Sequence, residues 1–189
     1  MNWFSRTQLL IGEDGVKKLA GSHVLVVGLG GVGAYAAEQL ARAGIGTMTI
    51  IDSDTVNVTN KNRQLLALDS TLGRPKVDVM AERIRDINPE INVIPINQYL
   101  KDQSIIDLMA QPFDFIVDAI DTLAPKVFLL YYAVQNKQKI VSCMGAGGKF
   151  NPEMIQITDI SKSYNCRLAF YIRKRLHRLG IRDGITVVF

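Results

Sequence analysis

The stretch HVLVVGLGGVG, residues 23–33, decides the fold. Its first five residues, His23–Val27, form an almost continuous apolar run, which is typical of a parallel strand buried on both faces. Small apolar residues at helical spacing follow in Val32–Ala43. Between strand and helix, glycines let the backbone approach phosphate oxygens, and the helix N-terminus supplies free N–H groups. These glycines are Gly28, Gly30, Gly31 and Gly33.

Strand-like and helix-like segments continue to alternate along the chain. Short apolar runs predict strands, and apolar residues recurring every three or four positions predict helices. The predicted strands are 47–51, 91–96, 113–117, 139–142 and 184–189, and the predicted helices are 75–87, 104–109 and 123–136. This order predicts the α/β class, with a doubly wound, mostly parallel, Rossmann-like sheet.

Composition excludes several classes of protein. The 189 residues are 48% hydrophobic and 21% charged, which excludes a disordered chain, a collagen-like repeat and a disulfide scaffold. No apolar stretch reaches the ~18 residues of a membrane span, and residues 1–6 lack the pattern of a secretory signal. With two cysteines and no CxxC pair, we expect a cytoplasmic protein. Because the chain stops inside an apolar run, 184–189, we expect a further C-terminal segment in the whole protein.

A nucleotide is the ligand that the residues after the glycines favour. Asp52 ends the second strand 19 residues after Gly33, where a carboxylate accepts hydrogen bonds from ribose hydroxyls. This pattern alone favours a dinucleotide such as NAD. Arg63 and Lys76, in the loops that follow, instead favour a triphosphate, because fixed cations neutralise phosphate charge.

Asp118 and Asp121 follow another strand, in the sequence VDAIDT. Ligands of open α/β sheets bind outside the carboxyl ends of the strands, and a carboxylate there can hold Mg²⁺ with few other protein ligands. Two simpler interpretations remain open. Asp118 would cap the next helix, and Arg63 would pair with a surface acid.

Five motifs carry a resemblance to a known superfamily. They are GLGGVGAYAAEQLARAGIG (28–46), IDSDTV (51–56), TNKNRQ (59–64), GRPK (73–76) and VDAIDT (117–122). Together they resemble the adenylyltransferases related to ubiquitin-activating enzymes, which include the activators of the molybdopterin and thiamine sulfur carriers. In that superfamily an acyl carboxylate attacks the α-phosphate of ATP and gives an acyl-adenylate and pyrophosphate.

The resemblance implies a set of site residues and a homodimer. The implied ATP-binding residues are Gly28, Gly30, Gly31, Gly33, Asp52, Asp54, Asn60, Arg63, Gln64 and Lys76. The implied catalytic residues are Arg6, Arg63, Lys76 and Asp121, of which Asp121 would hold Mg²⁺. Arg6 matches the arginine that reaches into the neighbouring subunit's site. Residues 1–189 would then form a single ATP-binding adenylation domain.

The second half of the chain narrows the resemblance to a subfamily. CMGAGG (143–148), Asn151-Pro152 and QITDISK (156–162) resemble the tRNA threonylcarbamoyladenosine dehydratases, whereas the zinc-binding CxxC pairs of the sulfur-carrier activators do not occur in this sequence. The implied reaction is an ATP-dependent dehydration of threonylcarbamoyladenosine in tRNA, through adenylation of the threonine carboxylate. The alternatives are activation of the C-terminal Gly-Gly of a ubiquitin-like sulfur carrier, and a nicotinamide dehydrogenase or bare nucleotide-binding module.

A basic block agrees with a tRNA partner. The chain carries 22 Lys and Arg against 18 Asp and Glu, and seven of the basic residues lie in 161–182, where no acid occurs. Leu168, Ile172, Leu176 and Leu179 form an apolar stripe at helical spacing. Basic side chains off that stripe would contact tRNA phosphates, although a solvated face and dimer packing remain open. They are Arg167, Arg173, Lys174, Arg175 and Arg178.

Two further expectations concern the segment after the strand 139–142. The resemblance makes a Na⁺ or K⁺ ion plausible at the Gly145–Gly148 loop, and a cysteine-desulfurase or sulfur-acceptor system plausible as a partner. Cys143 ends an apolar strand, so we expect a buried thiol there rather than a nucleophile.

Overall fold

A computed structural model describes residues 3–189 of the chain, which divides into two compact units, Met1–Tyr99 and Leu100–Phe189. Within residues 3–189, no helix is both long and apolar enough to cross a membrane.

The first unit alternates helices with three parallel strands. Its elements are α1 (Ser5–Ala20), β1 (His23–Val27), α2 (Gly33–Ala43), β2 (Thr47–Asp52), α3 (Lys76–Ile87) and β3 (Asn92–Asn97). The strand order is β3-β2-β1, with His23 opposite Thr47 and Thr47 opposite Asn92. All three strands therefore end at the same edge, where β1 runs into the glycine-rich turn and β2 ends at Asp52.

Apolar strands and a helix of small residues form the core of this unit. Val24–Val27 and Met48–Ile51 are buried along their whole length, as expected of central parallel strands. On α2 the buried residues Ala34, Ala37 and Ala41 lie on one face, and their short side chains permit close packing. The helix consequently fixes the position of the turn that precedes it.

The second unit contains four strands and three helices among its described residues. Its elements are α4 (Gln103–Met109), β4 (Phe115–Asp118), α5 (Leu123–Gln135), β5 (Ile140–Cys143), β6 (Ile157–Asp159), α6 (Arg167–Arg178) and β7 (Thr186–Val188). The order is β4-β5-β7-β6, in which β6 is antiparallel to β7 and the other neighbours are parallel. Together the two units confirm the predicted α/β class with a mostly parallel, doubly wound strand order.

Two elements were not predicted from the sequence. Helix α1 has no buried residue, and its Leu9 and Leu10 are 80% and 85% exposed. Gly12, at φ 75°, kinks the helix. The apolar residues of α1 therefore form no regular stripe that packs against the rest of the chain. Strand β6 has only three residues and pairs along one side with β7. Neither element therefore shows the periodic spacing of apolar residues from which helices and strands are predicted.

A carboxylate joins α2 to α3 in the first unit. Glu38 of α2 is buried, and it accepts hydrogen bonds from Arg42 Nε at 3.0 Å and from Arg83 Nε of α3 at 2.6 Å. The hydrogen bond from Arg83 lowers the pKa of the Glu38 carboxyl, against the opposing effect of burial, and Arg42 lowers it further. The ionised form of Glu38 is therefore the one that the fold stabilises.

The variant Glu38→Gln tests this ion pair. We expect a loss of about 1–2 kcal/mol at neutral pH, because both arginine partners are partly exposed. A lowered folded-state pKa adds stability above the unfolded pKa, and this stability is lost as the pH falls through the folded pKa. Urea unfolding should therefore show a smaller acid-induced loss of stability in the variant than in the wild type. Exposed Glu90 provides the control Glu90→Gln, and parallel pH profiles for all three proteins would contradict the assignment.

Candidate active site

The glycine-rich turn after β1 is held by backbone hydrogen bonds. Gly28 has φ 89°, a conformation that glycine adopts without strain, and its N–H donates to Ile51 O of β2 at 2.8 Å. The next amide, Leu29 N–H, donates to Asp52 Oδ2 at 2.6 Å. The turn is thus fixed to the carboxyl end of β2, and Gly33 begins α2 behind it.

The segment 59–64 packs against this turn. A Cβ atom on Gly31 would lie 3.4 Å from Arg63 O, and one on Gly30 would lie 3.8 Å from Gln64 Nε2. A side chain at position 31 would therefore press on the Arg63 backbone. The structure thus brings together four residues that the sequence analysis assigned to one site.

The side chains of Asn60 and Arg63 make different kinds of contact in this segment. Asn60 Oδ1 accepts from Asn57 N at 3.0 Å, so its side chain shapes the loop. Arg63 is exposed, and its Nη1 donates to Thr59 O at 3.2 Å and to Asn62 Oδ1 at 3.0 Å. These acceptors are neutral oxygens, so they leave the positive charge of Arg63 uncompensated. That arrangement suits an anionic ligand better than the surface ion pair that the sequence left open.

Asp52, Asp54 and Lys76 form a connected group at the end of β2. Both oxygens of Asp52 accept backbone N–H groups, from Leu29 and, at 2.8 Å, from Asp54. Each oxygen keeps a second lone pair, which a ribose hydroxyl can use. Lys76 begins α3, is buried, and donates to Asp54 Oδ2 at 2.7 Å. Its charge is therefore fixed in place, and Asp54 is its partner within the chain.

In the second unit, a buried ion pair lies at the end of β4. Asp118 and Lys126 are both 0% exposed, and Lys126 Nζ lies 2.8 Å from Asp118 Oδ2 and 2.9 Å from Ile120 O. Ser142 Oγ of β5 donates to Asp118 Oδ2 at 2.5 Å, and Ile120 N–H donates to Asp118 Oδ1 at 3.0 Å. The pair fixes the turn 118–121, which presents the exposed Asp121.

This network answers one question that the sequence left open. Asp118 does not cap α5, because Thr122 is the residue at the cap position. Lys126 was not predicted as a site residue, because a single lysine within an apolar helix carries no pattern that indicates a partner eight residues away.

No group of three or more His, Cys, Asp or Glu capable of holding a metal occurs within residues 3–189. Mg²⁺ brought with a nucleotide requires only one or two carboxylates besides phosphates and water, and the exposed Asp121 fits that requirement.

The two cysteines, Cys143 and Cys166, differ in burial and in the groups around them. Burial raises the pKa of the Cys143 thiol, Lys126 lowers it and Asp118 raises it, with a net increase. A raised pKa suppresses the thiolate that a nucleophile needs. The expected burial of Cys143 is only partial, because its side chain is intermediate in exposure. Cys166 is buried, and its Sγ accepts from Ala169 N–H at the start of α6.

Helix α6 carries the basic block. Its buried residues are Ala169, Ile172 and Leu176, whereas Leu179 lies past the helix end and is exposed, so the predicted stripe is shifted at both ends. Arg173 is partly buried and its Nη1 donates to Ser163 O at 2.7 Å. The remaining basic residues of the predicted group are exposed. They are Arg167, Lys174, Arg175 and Arg178.

Arg6 lies in the first turn of α1 and its side chain is exposed. The structure contains one copy of the chain, so the role of Arg6 across a dimer stays a prediction.

Comparison with known proteins identifies relatives along the whole chain. The model of the ThiF family matches residues 4–185. The tRNA threonylcarbamoyladenosine dehydratase of Bacillus subtilis is 42% identical over 189 residues, which cover 100% of this chain and 74% of the relative. A crystal structure of the Escherichia coli tRNA N6-threonylcarbamoyladenosine dehydratase in complex with ATP has a TM-score of 0.96 at 42% identity, covering 98% of this chain and 79% of that one.

A molybdopterin-synthase adenylyltransferase provides a useful contrast. The Escherichia coli protein is 42% identical over 111 residues, which cover 59% of this chain and 44% of the relative. Similarity to the dehydratases therefore extends along a larger part of the chain than similarity to this sulfur-carrier activator. The resemblance stated from the sequence motifs is confirmed.

The variant Lys126→Met tests the buried pair. It leaves the Asp118 carboxylate buried without its cation, which typically costs about 3–5 kcal/mol. The double variant Asp118→Asn/Lys126→Met should recover part of that loss, because no charge is then left unpaired. Urea unfolding measures both, with Lys174→Met on the exposed face of α6 as the control. A single variant as stable as the control would contradict the buried ion pair.

Proposed function

Because the chain belongs to the ThiF family, we propose that it catalyses the ATP-dependent dehydration of threonylcarbamoyladenosine in tRNA. The observation that carries this proposal is the similarity to a dehydratase over 100% of the chain. The crystal structure of a relative with a TM-score of 0.96 is a complex with ATP, which supports ATP as the nucleotide. We also propose that residues 1–189 act as one adenylation domain and that the protein is cytoplasmic.

The proposed reaction has two steps. The threonine carboxylate attacks the α-phosphate of ATP, an acyl-adenylate forms and pyrophosphate leaves. The neighbouring carbamoyl group then attacks the activated carbonyl, the ring closes and AMP leaves. The net change in the nucleoside is the loss of one water. The carboxylate is already an anion at neutral pH, so the first step needs no general base.

The first unit supplies what the first step requires. Backbone N–H groups of the glycine turn and the N-terminus of α2 would bind phosphate, and Asp52, oriented by two amides, would bind the ribose. Arg63 and Lys76 would stabilise the charge that develops at the α-phosphate and on pyrophosphate. Because the fold already holds both cations, little reorganisation is needed during the reaction.

We propose that Asp121 holds Mg²⁺, which when bound neutralises phosphate charge and orients the triphosphate. Arg6 would complete the site of a second subunit in a homodimer. A monovalent cation at the Gly145–Gly148 loop and a cysteine-desulfurase or sulfur-acceptor partner are further proposals from the family resemblance.

The tRNA would contact the exposed basic face of α6. Arg167, Lys174, Arg175 and Arg178 present their charges to solvent on one helix, which suits contacts to the phosphate backbone. Arg173 donates a hydrogen bond to Ser163 O, so we propose that it holds α6 in position rather than contacting the tRNA.

Pyrophosphate release tests the proposed first step. We expect release from ATP with tRNA that carries threonylcarbamoyladenosine, and none with the same tRNA lacking that modification. Release driven instead by a ubiquitin-like carrier with a Gly-Gly tail would favour the sulfur-carrier alternative.

Substitutions test the residue roles in that assay. Arg63→Ala and Asp121→Ala should each lower the rate of pyrophosphate release by about 10²-fold, the effect of removing one stabilising group from a transition state. Arg85 lies in the last turn of α3, away from the residues assigned here, and Arg85→Ala should leave the rate unchanged. Wild-type rates in both site variants would remove the assigned roles.

The double variant Arg175→Glu/Arg178→Glu tests the basic helix. We expect weaker tRNA binding with a smaller salt dependence, because fewer phosphate contacts release fewer counterions. ATP binding, measured by calorimetry, should not change. The charge-preserving variant Arg175→Lys/Arg178→Lys is the matched control, and equal tRNA affinity in the Glu variant would exclude this face as the contact.

A further inference from the structure

The second unit contains a cavity that the proposed ATP chemistry does not use. Its volume is about 260 Å³, and its walls include Lys149, Phe150, Asn151, Tyr164, Asn165 and Phe189. The loop 144–156 follows β5, and Phe189 follows β7 directly. Since β5 and β7 are parallel, the cavity lies outside the carboxyl ends of two strands, where open α/β sheets bind ligands.

Three aromatic side chains, Phe150, Tyr164 and Phe189, line this cavity beside the apolar Met154 and Ile155. Phe189 is largely buried, and Tyr164 packs edge-on against it, with ring centroids 5.3 Å apart and planes at 84°. Lys149 Nζ lies 5.0 Å from the Phe189 ring centroid. Phe150 is 95% exposed, so its ring is available to a ligand. One fixed wall and two accessible rings suit a flat, aromatic ligand that stacks.

Two side-chain amides add polar recognition at the same place. Asn151 Oδ1 accepts from Glu153 N–H at 3.0 Å, so Asn151 would offer its Nδ2 donors to a ligand. Asn165, at φ 47°, lies two residues before Arg167 at the start of α6. An amide carries both donors and an acceptor, which is the complement of the polar edge of a base.

The charge around the cavity favours a polyanion. Lys149 lines it, and Lys162 and Arg167 flank Tyr164 and Asn165 along the chain. The acids of the same stretch are Glu153 and Asp159, and Asp159 Oδ2 already accepts the Gly184 N–H. Tyr164 and Asn165 of the cavity therefore lie directly before the basic helix α6 in the sequence.

We propose that this cavity binds one unpaired base of the RNA substrate while α6 holds the adjoining phosphates. The inference rests on the proposed function and deepens it, because it separates a base-stacking site from the phosphate contacts. A volume below the ~300–1,000 Å³ of pockets for drug-sized ligands suits a single base. The rings would supply stacking, which tolerates any base, and the amides a preference among bases.

A fluorescence experiment tests the proposal without ATP. The probe is a short single-stranded oligoribonucleotide with one central 2-aminopurine, whose emission falls when the base stacks. The wild-type chain should quench it. Phe150→Ala/Tyr164→Ala should weaken binding by about 5-fold to 150-fold, the effect of losing stacking on one base. The salt dependence should stay unchanged, because the phosphate contacts remain.

Controls separate this inference from the proposed function. Phe128 is a partly exposed aromatic residue on α5 of the same unit, and Phe128→Ala should bind the probe as the wild type does. An abasic probe should bind equally to the wild type and the double variant. If the wild type binds RNA but the double variant binds equally well, the base site is wrong and the tRNA proposal stands. If the wild type does not bind the probe, the base site is overturned, whereas the tRNA proposal is decided by pyrophosphate release with tRNA that carries threonylcarbamoyladenosine.

Discussion

The carboxylate of Asp52 is the constraint on which the candidate site depends. Its two oxygens accept the amides of Leu29 and Asp54, so one side chain joins the glycine turn after β1 to the loop after β2. Because β1 and β2 are parallel and in register, both loops leave the sheet at the same edge. The same group orients the residues that would contact ribose and phosphate, and Asp54 in turn holds Lys76.

In the second unit a carboxylate also fixes a loop, and this carboxylate is fully buried. Asp118 and Lys126 neutralise each other, and a backbone amide, a backbone carbonyl and a serine hydroxyl satisfy their remaining hydrogen-bonding groups. Desolvation makes such a pair a weak source of stability, yet either partner alone would be strongly unfavourable. Its consequence is a turn of fixed shape, with Asp121 exposed beside it. In each unit, then, a carboxylate with all its oxygens hydrogen-bonded fixes the shape of the loop that follows its strand.

Much of this organisation was predictable from the sequence because it rests on periodic patterns. The strand His23–Val27 has the predicted bounds, and the helix 123–136 is longer than α5 by one residue. The glycine turn and Asp52 were predicted because a carboxylate about 20 residues after a glycine-rich turn is typical of nucleotide-binding sites. Helix α1 was missed because it buries no residue, and Lys126 because its partner is set by the fold. The position of Leu179 was wrong, since α6 ends at Arg178 and leaves it exposed.

Mass spectrometry of the modified nucleoside would decide whether the protein dehydrates threonylcarbamoyladenosine. The protein would be incubated with ATP, Mg²⁺ and tRNA carrying threonylcarbamoyladenosine, and the digested nucleosides measured by mass spectrometry. We expect this nucleoside to lose the mass of one water in an ATP-dependent reaction that Arg63→Ala slows. An unchanged nucleoside mass, with ATP bound and the tRNA intact, would contradict it.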